Sequence, residues 1–319
     1  MYKVKHTIKA IVGLVFICFF VCTEAKAQYD LMLTQYMNNE LIINPGYAGS
    51  RDHVSVVIAY RKQWAGIEGA PKTQTFSIHA PINDKRIALG FSMTNEQIGV
   101  TQLFSAFGTF AYRMPVNEEG ILSLGLQGGI YSLQEDYSRL ASDCCGNSFD
   151  PLFMQDSPTK IAPKVGFGAY YYDSNFYAGW SVPRLIESSL DPLDDFNVNN
   201  EMNLRSWHNY LIAGYLIDTG HDIKLKPSIM TKVVHGAPLA VDLTLNTLLN
   251  EHFWIGASYR TGDSFSFLTS VILSPQLRVG YSYDVTISEL SDFDSGSHEV
   301  MIGYDLNFRK LDITSIRYF

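Results

Sequence analysis

A period-two alternation recurs from about Val54 to the C-terminus, and it constrains this chain more than any other feature. Phe253, Ile255, Ala257 and Tyr259 alternate with Trp254, Gly256, Ser258 and Arg260. Leu277, Val279, Tyr281 and Tyr283 alternate with Arg278, Gly280, Ser282 and Asp284. Val300, Ile302, Tyr304, Leu306 and Phe308 alternate with Met301, Gly303, Asp305, Asn307 and Arg309, and Val165, Phe167, Ala169 and Tyr171 with Gly166, Gly168 and Tyr170. Alternation of this kind is the mark of a strand. A soluble sandwich would turn a charged second face to water. Here the second face is largely Gly, Ser and Asn, which suits the interior of a closed barrel whose apolar face meets lipid.

The pattern predicts about fourteen strands, near 54–60, 73–80, 86–93, 104–113, 121–131, 164–172, 175–182, 207–216, 222–231, 239–247, 253–260, 264–272, 277–284 and 298–308. Short polar turns follow the even-numbered strands. The other connections are mostly long: 61–72, 94–103, 132–163, 183–206, 232–238 and 285–297, with Thr261-Gly262-Asp263 the exception. Outer-membrane barrels pair short periplasmic turns with longer outer loops, so the alternation predicts that both chain ends are periplasmic. Strand glycines such as Gly90, Gly125, Gly166, Gly179 and Gly280 are expected to allow curvature and close backbone approach. Pro227 falls inside an expected strand and calls for a bulge or a strand end.

The first residues agree with that compartment. Lys3, Lys5 and Lys9 precede the apolar run Ala10 to Cys22, and Ala25-Lys26-Ala27 is an A-x-A site. These parts read as a signal peptide over 1–27, with Gln28 the new N-terminus. The run is too short for a spanning anchor, and Phe-Phe-Val before Cys22 lacks the small residues a lipoprotein site wants. Without residues 1–27, Lys+Arg falls from 24 to 20 and Asp+Glu from 32 to 31, a formal charge of −11. An acidic chain is a poor nucleic-acid binder. With 19 Tyr, 19 Phe, 24 Gly and only 18% charged residues, the composition is that of an outer-membrane barrel, where lipid-facing and lumen-facing residues average out. Cys144 and Cys145 are adjacent and form no disulfide framework.

Residues 28–53 stand outside the strand pattern and contain the turn Asn44-Pro45-Gly46. They form either a lumen plug or a docking arm below a barrel that spans 54–319. Gln35-Tyr36, then Asn44-Pro45-Gly46-Tyr47-Ala48-Gly49-Ser50, Tyr60-Arg61-Lys62-Gln63-Trp64 and Gly69-Ala70-Pro71-Lys72-Thr73, with the ending Arg317-Tyr318-Phe319, resemble in order and spacing the PorP/SprF family. The resemblance implies a type IX secretion component of the outer membrane. Its implied partners are other parts of that machine, a secreted cargo protein engaged near its C-terminal region, and outer-membrane lipid, with no nucleic acid. The family supplies no catalytic residues.

The motif residues have two readings. Asn44, Pro45, Tyr47, Gly49, Tyr60, Arg61, Gln63 and Trp64 are candidates for partner binding. Their structural reading is that the aromatic rings anchor at the membrane boundary and that Arg61 meets a lumen carboxylate. The seven histidines after the leader lie in no nucleophile or metalloprotease motif, and zinc spacing is absent, so no enzyme, metal or cofactor is expected. Asp292 to Gly296 resembles a calcium loop only faintly, lacking the closing Glu. Lys224, Lys226, Asp242, Arg260, Arg278 and Asp305 either line a pore or pair across a plugged interior. The rival function is a solute or fatty-acid-type transporter, which would want a continuous apolar pocket in the lumen. The small, polar inner faces favour secretion.

Overall fold

The structure, a computed structural model, describes residues 31–82, 86–137, 156–188, 200–201, 207–220 and 222–306. The expected leader 1–27, Cys144, Cys145 and Arg317-Tyr318-Phe319 lie outside these residues.

Among the described residues the strands are β1 Val54–Lys62, β2 Lys72–Ile82, β3 Ile87–Ile98, β4 Thr101–Pro115, β5 Ile121–Glu135, β6 Lys160–Tyr172, β7 Phe176–Val182, β8 Glu187–Ser188, β9 Asn200–Glu201, β10 Asn209–Tyr215, β11 Ile217–Asp218, β12 Ile223–Val233, β13 Ala240–Leu249, β14 Phe253–Arg260, β15 Ser264–Ile272, β16 Leu277–Thr286 and β17 Ser297–Leu306. Fourteen of them form a closed antiparallel barrel, matching the expected strands one for one. Each pairs with its sequence neighbours, and β1 closes on β17 from Val54↔Leu306 to Lys62↔His298. Closure leaves no sheet edge for lipid to meet, which a membrane-spanning sheet requires. The outer wall carries Ile58, Leu126, Leu245, Ile255, Phe267 and Ile302, each about half exposed, as lipid-facing positions should.

One extra strand has a local cause. β10 and β11 hold the same register against β12, with Gly214↔Ser228 and Ile217↔Leu225, so β11 continues β10 after an interruption. The interruption faces Pro227, which has no N–H to give to the ladder.

The connections differ from expectation once. The segment 94–103 is not a long loop: β3 and β4 continue through it and meet at Gly99-Val100, with Gly99 at φ +56°. Thr94, Asn95, Glu96, Gln97 and Gln102 are polar on both faces, so hydropathy hides strands that extend past the lipid. β4 and β5 each reach 15 residues for the same reason, longer than the roughly 9–11 that a crossing needs.

The core of the molecule lies inside the barrel. Residues 31–53 carry three short 3-10 turns, Tyr36–Asn38, Glu40–Ile42 and Pro45–Tyr47, the last with Asn44 accepting from the Gly46 N–H. Leu33, Tyr36, Met37, Leu41, Ile43, Tyr47 and Ala48 pack against Ala88, Ala111, Tyr170, Tyr172, Tyr177, Tyr210, Ile212, Leu216 and Leu268 of the inner wall. One side of the lumen is therefore aromatic, and the inner faces are not small and polar throughout.

Candidate functional site

The segment 31–53 crosses the lumen from one mouth to the other. Near its start, the Leu33 carbonyl accepts from Arg260 at 3.2 Å, and Arg260 is paired with Asp242 at 2.8 Å. The Thr34 N–H donates to Glu299 at 2.8 Å and its hydroxyl to Asp284 at 2.7 Å, while the Gln35 N–H donates to Glu299 at 3.0 Å. These partners stand where β13 and β17 begin and where β14 and β16 end, at the mouth that carries the longer loops. At the other end of the segment, Arg51 pairs with Asp305 at 3.0 Å, and Asp52 with Arg113 at 2.7 Å. Arg278 joins the same Asp305 at 3.2 Å. These groups lie at the mouth with the short turns, where β1 starts and β17 ends. The expectation of a shared face for both chain ends therefore meets a chain that passes through the lumen, with residue 31 at the opposite mouth from Leu306.

Of the lumen charges expected either to line a pore or to pair, Asp242 pairs with Arg260 and Arg278 with Asp305, each with its neighbour on the adjacent strand of the wall. Lys226 is buried over the rings of Tyr177 and Trp254, at 5.5 and 5.9 Å from their centroids. Lys224 turns outward to Glu251 at the short-turn mouth.

The first motif seats the plug. The Asn44 amide donates to the Ala169 carbonyl at 3.1 Å, and Ser181 donates to the Ile43 carbonyl at 2.8 Å. The wall opposite is bare: a Cβ on Gly125 would collide with the Pro45 carbonyl and the Gly46 nitrogen, and one on Gly168 with the Asn44 side chain. These strand glycines make room for the plug: the close backbone approach expected at Gly125 is that of Pro45 and Gly46. Tyr47 meets the Tyr170 and His79 rings edge-on at 5.4 and 5.2 Å. Gly49 takes φ +74° and donates its N–H to His79 at 3.1 Å.

The second motif closes the barrel. Arg61 points inward, bonds Asp284 at 2.7 Å and Glu299 at 3.3 Å, and donates to the Thr34 hydroxyl at 2.8 Å. One guanidinium thus ties β1, β16, β17 and the start of the plug together. Tyr60 is on the lipid face. Gln63 is buried, and its N–H reaches the Pro71 carbonyl. Trp64, at φ +45° and half-buried, donates its N–H to the Ser297 hydroxyl. Ala65 then exchanges backbone bonds of 2.7 Å with Gly296 and Ser295, extending the β1–β17 seam beyond the strands.

Sequence reasoning proposed these eight residues as a contact surface. The structure buries Asn44, Pro45, Tyr47, Gly49, Arg61 and Gln63, so in this conformation they touch the barrel itself. Sequence reasoning missed Glu40, which is fully buried in the plug beside Tyr170 and Lys226. Burial raises its pKa to about 7, although Lys226 and Arg51 favour the charged form. Nothing in a lone Glu within an irregular segment marks it in advance.

Among the described residues no group of His, Cys, Asp and Glu is arranged to hold a metal ion. Two cavities open at the long-loop mouth. One of about 240 Å³ is lined by Leu31, Met32, Leu33, Met230, Val234 and Pro238, among others. The other lies between Leu31, Ile43 and the inner faces of β3 to β5.

A family model described as the type IX secretion system membrane protein PorP/SprF matches residues 25–304. No curated protein matches the chain. Among solved structures, the outer membrane protein Omp33 of Acinetobacter baumannii is 7% identical, with 80% of this chain and 100% of that one covered and a TM-score of 0.46. The toluene transporter TbuX of Ralstonia pickettii is 10% identical, covering 84% and 93%, with a TM-score of 0.48.

Proposed function

Because this chain belongs to the PorP/SprF family of type IX secretion system membrane proteins, we propose that it is a non-enzymatic outer-membrane barrel that supports export or surface attachment of secreted proteins by protein contact. The observation that carries this reading is the occupied lumen. Residues 31–53 fill it; hydrogen bonds of Leu33, Thr34 and Gln35 with Arg260, Asp284 and Glu299 hold the segment at the long-loop mouth, and the Arg51–Asp305 and Asp52–Arg113 ion pairs hold it at the other. Breaking one such pair costs about 3–5 kcal/mol, so the plug does not leave on thermal fluctuation alone. Work done by a plugged barrel falls to its two faces and its outer wall.

Residues 1–27 are a leader removed during export, and the short-turn mouth, where β17 ends, faces the periplasm. There the barrel meets other components of the machine. The long loops at the opposite mouth, 136–159 and 183–208, meet the exported protein, since connections of that length exceed what joining two strands requires. Trp64, half-buried in the 63–71 loop, is the motif residue best placed to share in that contact. Asn44 to Gly49 serve it indirectly by seating the plug.

The test is deletion of the gene, followed by measurement of secreted adhesins and hydrolases at the cell surface. Display of at least one cargo falls while cells stay viable. Shortening 183–208 reproduces the defect with barrel abundance and heat-modifiability unchanged. Normal display together with lost uptake of a hydrophobic solute would replace this reading with the transporter.

A further inference from the structure

We infer that the processed N-terminus lies at the cell-surface mouth, so that the first residues of the mature chain belong to the face an external partner meets. The inference rests on the proposed cleavage after Ala27 and on the periplasmic placement of the short turns, and it follows from the direction in which the plug runs.

Three sets of contacts fix that direction. Leu33, Thr34 and Gln35 are held by Arg260, Asp284 and Glu299 at the long-loop ends of their strands. Leu31 lines both mouth cavities, beside Pro238 and Ala237 of the 234–239 connection in one and Glu96, Leu103 and Arg184 in the other. Arg51 and Asp52 are held by Asp305 and Arg113 at the short-turn ends. The chain therefore enters the lumen at the long-loop mouth and leaves it at the short-turn mouth to begin β1.

Chain length does the rest. Only three residues separate Gln28 from Leu31, and fully extended they reach about 10 Å. The apolar band of such a barrel is about 25 Å tall. Gln28 cannot return to the periplasmic face, whatever its conformation.

The consequence for recognition is specific. The face presented outward includes the long loops together with Leu31, Met32 and Leu33, which floor the cavity of about 240 Å³.

Single cysteines test the placement, in a Cys144→Ser/Cys145→Ser background, with a membrane-impermeant maleimide on intact cells. Asp292→Cys reports the long-loop face and Glu118→Cys the short-turn face, both being exposed positions. Gln28→Cys is expected to label on intact cells together with Asp292→Cys, with Glu118→Cys labelling only after the envelope is broken. If Gln28→Cys instead tracks with Glu118→Cys, the inferred path is overturned. N-terminal sequencing of the same preparations separates the two premises. A start other than Gln28 refutes the cleavage reading whichever side labels, while a Gln28 start with periplasmic labelling refutes the path. Labelling of Asp292→Cys only in broken cells overturns the surface placement.

Discussion

Replacing Arg61 with Met tests whether the Tyr-Arg-x-Gln-Trp motif holds the plug to the seam. Among the described residues Arg61 is the one cation paired with both Asp284 and Glu299, and all three side chains are 2% exposed. Methionine keeps much of the volume and removes the charge. Two carboxylates are then left in a site closed to water, with the Thr34, Gln35 and Ser266 donors and the more distant Arg260 to offset their charge. Removing one partner from a buried ion pair costs about 3–5 kcal/mol. The loss falls on the junction of plug and wall, because the backbone pairs of residue 61 with Glu299 and Thr73 survive the change. The triple variant Arg61→Met/Asp284→Asn/Glu299→Gln leaves no unpaired charge and is expected to recover most of the loss, since neutral replacements of buried ion groups are often tolerated. Urea titration in lipid vesicles, followed by tryptophan fluorescence and by heat-modifiability on gels, measures both. A single variant as stable as the wild type would show that the guanidinium is solvated or replaceable. A triple variant no better than the single one would show that shape, and not charge, holds the junction.

Further outcomes follow from other contacts. Gly125→Val drives a side chain into the Pro45 carbonyl and should displace the plug, exposing Arg51 to trypsin; Gly108→Val, where a Cβ meets nothing nearer than 3.9 Å, should not. Ile302→Arg, on the lipid face, should cost roughly 2–4 kcal/mol in a refolding titration, whereas Ser282→Ala on the inner face removes a hydroxyl without a hydrogen-bond partner and should be close to neutral. Glu40 carries a folded pKa near 7, against 4.5 for a free glutamate, so the folded state holds the extra proton between those values. Stability should then be full below about pH 4.5 and fall as pH rises towards 7, by on the order of 3 kcal/mol. Glu40→Gln should flatten that slope, as read from urea midpoints at pH 5 and pH 8.

What the sequence disclosed, and what it hid, follow from the range of the forces involved. Strand faces are set by neighbours two residues apart, so Val279, Tyr281, Ile302 and Tyr304 were assigned to lipid from alternation alone. The turn at Gly99-Val100 escaped because β3 and β4 leave the bilayer before they reach it, and water on both sides erases the pattern. Pro227 signalled a weak point, and the structure shows its form, a break between β10 and β11 on the neighbouring strand. The direction of the plug was not legible. It depends on pairs such as Thr34 with Asp284 and Arg51 with Asp305, some 250 residues apart in the chain. The motif residues were visible as an ordered set, but their partners Gly125 and Gly168 look like ordinary barrel glycines until the plug is in place.

The two motifs share one physical task. Asn44 to Gly49 need a wall without side chains, and Gly125 and Gly168 supply it. Arg61 to Trp64 need the last two strands, and Asp284, Glu299 and Ser297 supply them. The second set cannot form its contacts until the first strand has met the last, because Arg61 and its carboxylates lie on opposite sides of the closing seam. Closure and plugging are therefore coupled through Thr34, whose N–H and hydroxyl bond the same carboxylates that Arg61 neutralises. A barrel assembled without its plug would leave Arg61, Asp284 and Glu299 facing an empty lumen, and a plug outside the barrel would leave Arg51 without Asp305. Buried charge, costly when unpaired, makes the sealed lumen the state in which both signature motifs are satisfied.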